Sequence, residues 1–79
     1  MDIDEEKLDE VVLALLYVTR FKDGPNMRTW KSYEWSILDR LHEKGFIDNP
    51  KSKSKSVVLF ESAEVEGEKL INKYFAKAH

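Results

Sequence analysis

The chain has 79 residues, 42% of them hydrophobic and 35% charged, which supports one small core near the lower limit of what folds without staples, so residues 1–79 are read as a single domain whose core a partner could complete. With no cysteine, a disulfide framework, a thiolate metal site and a thiol nucleophile are all excluded. The formal net charge of -2 and a sequence pI near 5.7 weigh against a dedicated nucleic-acid binder, which is normally basic across its domain.

Asp2 or Asp4 can cap a first helix, with Glu5 and Glu6 in its opening turn. Leu8, Val11, Val12, Leu15 and Leu16 supply an apolar stripe, so a helix is predicted from about Asp4 to Arg20. Within it the eight residues Val11 to Val18 are apolar on every side, and such a helix must be covered all round. Either the two later helices wrap it, which the sequence favours, or part of it, with Leu13 and Tyr17 as contact residues, forms a homodimer seam. This run is far short of the roughly twenty residues that span a bilayer, and the acidic start does not read as a signal peptide. A soluble, cytoplasmic protein with no membrane partner is expected.

From Phe21 to Lys31 the chain is a connection marked by the turn cluster Asp23-Gly24-Pro25-Asn26, with Met27 to Trp30 as a short third strand. Trp30, Tyr33 and Trp35 follow within six residues. They form either a stacking platform or protein-contact patch, or part of the core. A chain with few large apolar groups should bury at least two of the three.

Ser32 can cap the next helix, with Glu34 at the positive end of its dipole. Trp35, Ile37, Leu38 and Leu41 mark one buried stripe, and Lys44-Gly45-Phe46 is a glycine stop, so a helix is predicted over 32–44. Phe46-Ile47 and Val57-Val58-Leu59-Phe60 then read as two strands of a hairpin, joined through the turn Asp48-Asn49-Pro50 and the polar segment KSKSKS, residues 51–56. A run of this kind is usually a solvated loop. The last helix is expected from Ser62, its cap, to about Lys77. One face carries Gly67, Leu70, Ile71, Tyr74, Phe75 and Ala78, and the other a wet ladder of Lys69, Lys73 and Lys77.

The run Leu38-Asp39-Arg40-Leu41-His42-Glu43-Lys44-Gly45-Phe46-Ile47, followed by Val57-Val58-Leu59 and a helix, resembles the "L..L.EKGLI … V.LTEEG" pattern of bacterial winged-helix transcription regulators. The whole chain more closely resembles a small bacterial family of unknown function whose members begin with an acidic IDEEKLDE, here Ile3 to Glu10. The resemblance implies an α+β fold: a small winged-helix-like domain of three helices with a two- or three-stranded β-hairpin wing. It implies no activity. Two features depart from the regulators: the segment before helix 32–44 is too short for their additional helix, and Phe60-Glu61-Ser62-Ala63 replaces Thr-Glu-Glu-Gly.

Catalysis needs a nucleophile with a base, a carboxylate pair in a cleft or a metal cluster, and none can be assembled from these residue types and spacings. His42 has no second ligand one turn away and is expected at its helix C-terminus, His79 is terminal, and Gly24, Gly45 and Gly67 are scattered. No catalytic, cofactor, metal or small-molecule site is predicted, and the chain is read as non-enzymatic. Two binding roles remain. In one, a protein-interaction or self-association module uses Trp30, Trp35, Leu13 and Tyr17. In the other, a DNA-binding protein sets helix 32–44 in a groove, Arg40 reading it, while Lys31, Lys51, Lys53 and Lys55 of the connection and wing 51–56 meet phosphates. The acidic Glu34, Asp39 and Glu43 on that helix favour the first reading.

Overall fold

A computed structural model describes residues 1–77; Ala78 and His79 lie outside the described residues. The first helix, α1, spans Glu5–Val18, and its N-cap is Asp4, whose carboxylate accepts the Lys7 amide. It ends two residues before the predicted Arg20, where the Thr19 hydroxyl donates to the Leu15 carbonyl at 2.7 Å and closes the last turn.

The connection proves more structured than its turn residues suggested. Phe21–Asp23 is strand β1 and Asn26–Trp30 is strand β2, paired antiparallel with Asp23 opposite Asn26. Gly24, at φ 59, and Pro25 form a two-residue turn. A glycine with positive φ followed by a proline fixed at negative φ is the type II′ arrangement, whose twist suits a hairpin. This hairpin fills the segment that was read as too short for a further helix.

Helix α2 spans Trp35–Glu43, three residues later than the predicted start. Ser32 is not its cap, because the end of β2 holds it. The Lys31 amide donates to the Lys55 carbonyl and the Ser32 amide to the Trp30 carbonyl, which leaves Glu34 as N-cap. The stop is as expected: with Gly45 at φ 81, the Gly45 amide donates to the His42 carbonyl and the Phe46 amide to the Leu41 carbonyl, both arms of a Schellman motif.

The third strand, β3, spans Ser56–Val58 and pairs antiparallel with β2, giving a three-stranded sheet in the order β1-β2-β3. Phe46 and Ile47 were expected to form a full strand against it, yet only an isolated bridge of Ile47 to Leu59 is present. Asp48 is the reason, since its amide donates to the Val58 carbonyl while its carboxylate accepts the Val58 amide at 2.8 Å, a side chain standing in for the strand's own carbonyl. Helix α3 spans Glu61–Phe75 with Phe60 as N-cap. Ser62, expected to cap it, instead donates its hydroxyl to the Gly45 carbonyl at the end of α2.

The product is an α+β fold of three helices and one three-stranded antiparallel sheet, consistent with a small winged-helix-like domain. Its core joins Val12, Leu13, Ala14 and Leu16 of α1 with Ile37, Leu38 and Leu41 of α2, Ile47, Val57, Leu59, and Ala63 and Leu70 of α3. Helices α1 and α3 run antiparallel: Gly67 faces Tyr17, and seven residues on the Tyr74 hydroxyl donates to Glu10 at 3.0 Å. At Gly67 an added Cβ would stand 2.5 Å from the Tyr17 Cβ, so only glycine admits this approach. Phe75, predicted on the packed face, is half exposed. Among the described residues no helix is long and apolar enough to cross a membrane.

Candidate functional site

Two groups of polar and aromatic side chains stand out. The first lies between α1 and α2. Asp9 falls on the inward stripe of α1 with Val12, Leu13 and Leu16, and it is 2% exposed. A carboxylate so placed must be paired. Arg40 supplies a two-pronged partner, Nε to Oδ2 at 2.7 Å and Nη2 to Oδ1 at 2.8 Å, while its Nη1 reaches Glu5 at 2.8 Å and the Lys44 ammonium approaches Asp9 at 3.3 Å. Burial pushes the Asp9 carboxyl up, but the Arg40 and Lys44 donors outweigh it and hold the group below the ordinary carboxylate value. This node ties the two helices together, and it uses up Arg40. The residue expected to read a DNA groove is therefore directed at α1. Sequence reasoning missed the node, though an acid at position 9 with apolar residues three, four and seven positions later was a usable signal.

The second group gathers where β2, the start of α2 and the lysine loop meet. Trp30 closes β2 opposite Ser56, and Trp35 opens α2. Contrary to the core expectation, Trp30 is 54% and Trp35 56% exposed, while Tyr33 is half-buried against the core. The sheet faces explain the difference: Thr29 takes the inward position at the end of β2, so alternation turns Trp30 outward, where it stacks on Phe21 at 4.7 Å. Lys31 lies beside them, its ammonium donating to the Ser52 carbonyl at 2.7 Å and standing 6.0 Å from the Trp35 ring centroid.

The loop carrying Lys51, Lys53 and Lys55 is held at both ends. Asn49 accepts the Lys51 amide at 2.9 Å in an Asx turn. Arg28 donates to the Ser56 hydroxyl at 2.8 Å, the Ser56 carbonyl at 2.9 Å and the Ser54 hydroxyl at 3.2 Å. Among the described residues, Lys51, Lys53 and Lys55 are exposed and form no ion pair with a carboxylate. Trp30, Lys31, Ser32, Trp35 and Lys55 line a shallow depression with Ser52 and Ser54. The arrangement offers two indole rings beside unneutralised ammonium groups on a backbone that is already ordered.

Of the residues singled out from the sequence, Trp30, Trp35, Lys31 and Lys55 come together, with Lys51 and Lys53 on the same loop, while Arg40 does not join them. Leu13 is 1% exposed in the core and is no contact residue. Tyr17 is half-buried, with Gly67 against its Cβ and the Arg20 guanidinium 4.0 Å above its ring. His42 places Nδ1 3.0 Å from the Ile47 carbonyl, just beyond its helix. No group of three or more His, Cys, Asp or Glu among the described residues could hold a metal ion.

The family described as "Domain of unknown function (DUF6429)" matches residues 4–77. A protein of Sinorhizobium fredii (strain NBRC 101917 / NGR234) named "Uncharacterized protein y4hR" is 42% identical over 77 residues, covering 98% of this chain and 100% of the relative. No solved structure matches the chain.

Proposed function

The chain belongs to the DUF6429 family, and from that premise we propose that it is a non-enzymatic protein-interaction module whose docking surface is Trp30, Trp35 and the lysine loop 51–56, and whose partner is an acidic protein segment with apolar anchors. The exposure of both tryptophans carries the reading. Large rings left in water at the rim of an ordered cationic loop match the composition of interface hot spots, where indoles supply contact area and charges set the partner. Polar groups a catalyst would use are bonded elsewhere: the His42 ring to a backbone carbonyl, and the loop serines to Arg28 and Lys31.

DNA backbone binding is the second reading, favoured by the three unpaired lysines alone. Helix α2 offers it little, because Arg40 is spent and Asp39 and Glu43 would face a polyanion. Amide and indole NMR titrations distinguish the two. A short synthetic peptide alternating Glu and Leu is expected to shift the Trp30 and Trp35 indoles together with residues 51–56. A duplex of about 20 base pairs is expected to move the lysine loop only weakly and only at low salt. Shifts with the duplex and none with the peptide would reverse the order of the two readings.

A further inference from the structure

Lys31 stands opposite Lys55 at the end of the β2–β3 ladder, where its amide donates to the Lys55 carbonyl at 3.0 Å. Like charges set opposite each other across strands are destabilising, and among the described residues neither lysine forms an ion pair with a carboxylate. Lys31 is half-buried and its ammonium donates to Ser52, at 2.7 Å to the carbonyl and 3.3 Å to the hydroxyl. At least one of its three N–H groups is therefore free. The serine hydroxyls beside it have their oxygens occupied. Ser52 accepts from Lys31, while Ser54 accepts from Arg28 at 3.2 Å and from the Ser56 amide at 3.3 Å. With both lone pairs of Ser54 used, its O–H can only donate, to the Ser56 hydroxyl at 3.4 Å or outward. The depression shared by these groups is thus lined by donors and cations on one part, and by the Trp30 and Trp35 indoles on another. Such a lining suits an anion that carries an apolar group.

Given the docking surface proposed above, on which this rests, we infer that the depression receives the C-terminal residue of the partner. Its α-carboxylate sits on Lys31 and the serine hydroxyls, and its apolar side chain lies against the indoles. Distance selects this occupant. The Lys31 ammonium is 6.0 Å from the Trp35 ring centroid, so an anion on the one and a side chain on the other lie only a few ångströms apart. In an extended internal segment adjacent side chains point to opposite faces, and the next on the same face is about 6.6 Å away. An internal Glu must also order a long side chain to make the contact. A C-terminal Leu or Phe carries carboxylate and apolar group on one Cα, with little left to order. Lys51 and Lys53 do not line the depression. They attract the acids that precede the terminus, and that attraction is screened by salt more than a contact to the half-buried Lys31.

Two N-acetylated peptides that alternate Glu and Leu and end in Leu test this by NMR titration of the full chain, followed at the Trp30 and Trp35 indoles. One has a free C-terminal carboxylate. The other is a C-terminal amide with an additional Glu near its start, so that the net charges are equal. The free acid should bind at least about tenfold tighter, the worth of one charge-assisted contact. Lys31→Met, which keeps the apolar stem and removes the charge, should erase most of that preference. Ser52→Ala, at an exposed position, should reduce it several-fold. Lys51→Met should instead weaken both peptides alike. Equal affinities for the two peptides would overturn the inference and leave the docking surface standing, and a preference that survives Lys31→Met would overturn it as well. If neither peptide binds, the inference and the docking surface fall together.

Discussion

The α1–α2 contact and the loop after α2 both concentrate charge, and they use it in opposite ways. At the first, Asp9 is enclosed and accepts bonds from Arg40 and Lys44 at 2.7 to 3.3 Å. At the second, Lys51, Lys53 and Lys55 stand in water beside two exposed indoles, while Lys31 and Arg28 hold the backbone beneath them. The cations nearest in sequence to the predicted recognition helix thus serve the fold, and those of the loop remain available to a partner. The kind of residue does not distinguish these roles. What distinguishes them is whether a carboxylate has been drawn out of water nearby, because only then does losing the cation leave an uncompensated buried charge.

The largest expected effect follows from breaking the first region. Asp9→Ala removes the acceptor from two cations and opens a space at the α1–α2 contact, and should cost about 3 kcal/mol, the low end for a buried pair because Arg40 and Lys44 can turn toward solvent. Urea unfolding monitored by circular dichroism measures it, and a cost under a few tenths would make the node ornamental. Acid probes the same group. Since the native pKa of Asp9 is depressed, its stabilisation is fully present above the unfolded value of about 3.9 and is lost as pH falls through the lower native pKa. Asp9→Asn should therefore show a shallower decline in stability than the natural chain over that acid range.

Next in size is Gly67→Ala. In an exposed helix alanine would gain nearly 1 kcal/mol over glycine. Here the new methyl would meet the Cβ of Tyr17, an atom fixed to its own backbone, so α1 and α3 must separate and a net loss of about 2 kcal/mol is expected. A stabilised variant would mean that the two helices part more easily than the 2.5 Å approach implies.

Much of the fold could be read from the residues, and what could not has local causes. The Schellman stop at Lys44-Gly45-Phe46 and the Asp4 cap are set by neighbours within a turn, so sequence spacing finds them. The false caps at Ser32 and Ser62 illustrate the opposite case, because their alternatives are distant: Ser32 is taken by the sheet edge and Ser62 by the end of another helix, 17 residues away. Hairpin β1–β2 was hidden by its own turn chemistry, since Gly24-Pro25 reads equally as a loop. The candidate surface was half legible. The lysine loop is exposed as a polar run should be, but Trp30 and Trp35 are exposed against the core expectation, Leu13 is buried, and the diversion of Arg40 depends on a pairing with Asp9 across 31 residues that no local pattern encodes.

The smallest expected effect on stability is also the sharpest test of the comparison. Replacing Lys51, Lys53 and Lys55 together by serine removes three cations that have no carboxylate partner among the described residues and leaves Arg28, Asn49 and Lys31 to hold the loop. Unfolding should move by no more than about 0.5 kcal/mol, as for other surface changes. Binding of the Glu-Leu peptide should nevertheless weaken and lose most of its salt dependence, since Trp30 and Trp35 would remain and the charges that steer an acidic partner would not. If stability fell as far as it does for Asp9→Ala, the lysines would belong to the fold in the way Arg40 does, and the contrast between the two regions would disappear. If stability held and peptide binding were also unchanged, the tryptophans would bind alone, and the partner would need no acidic character.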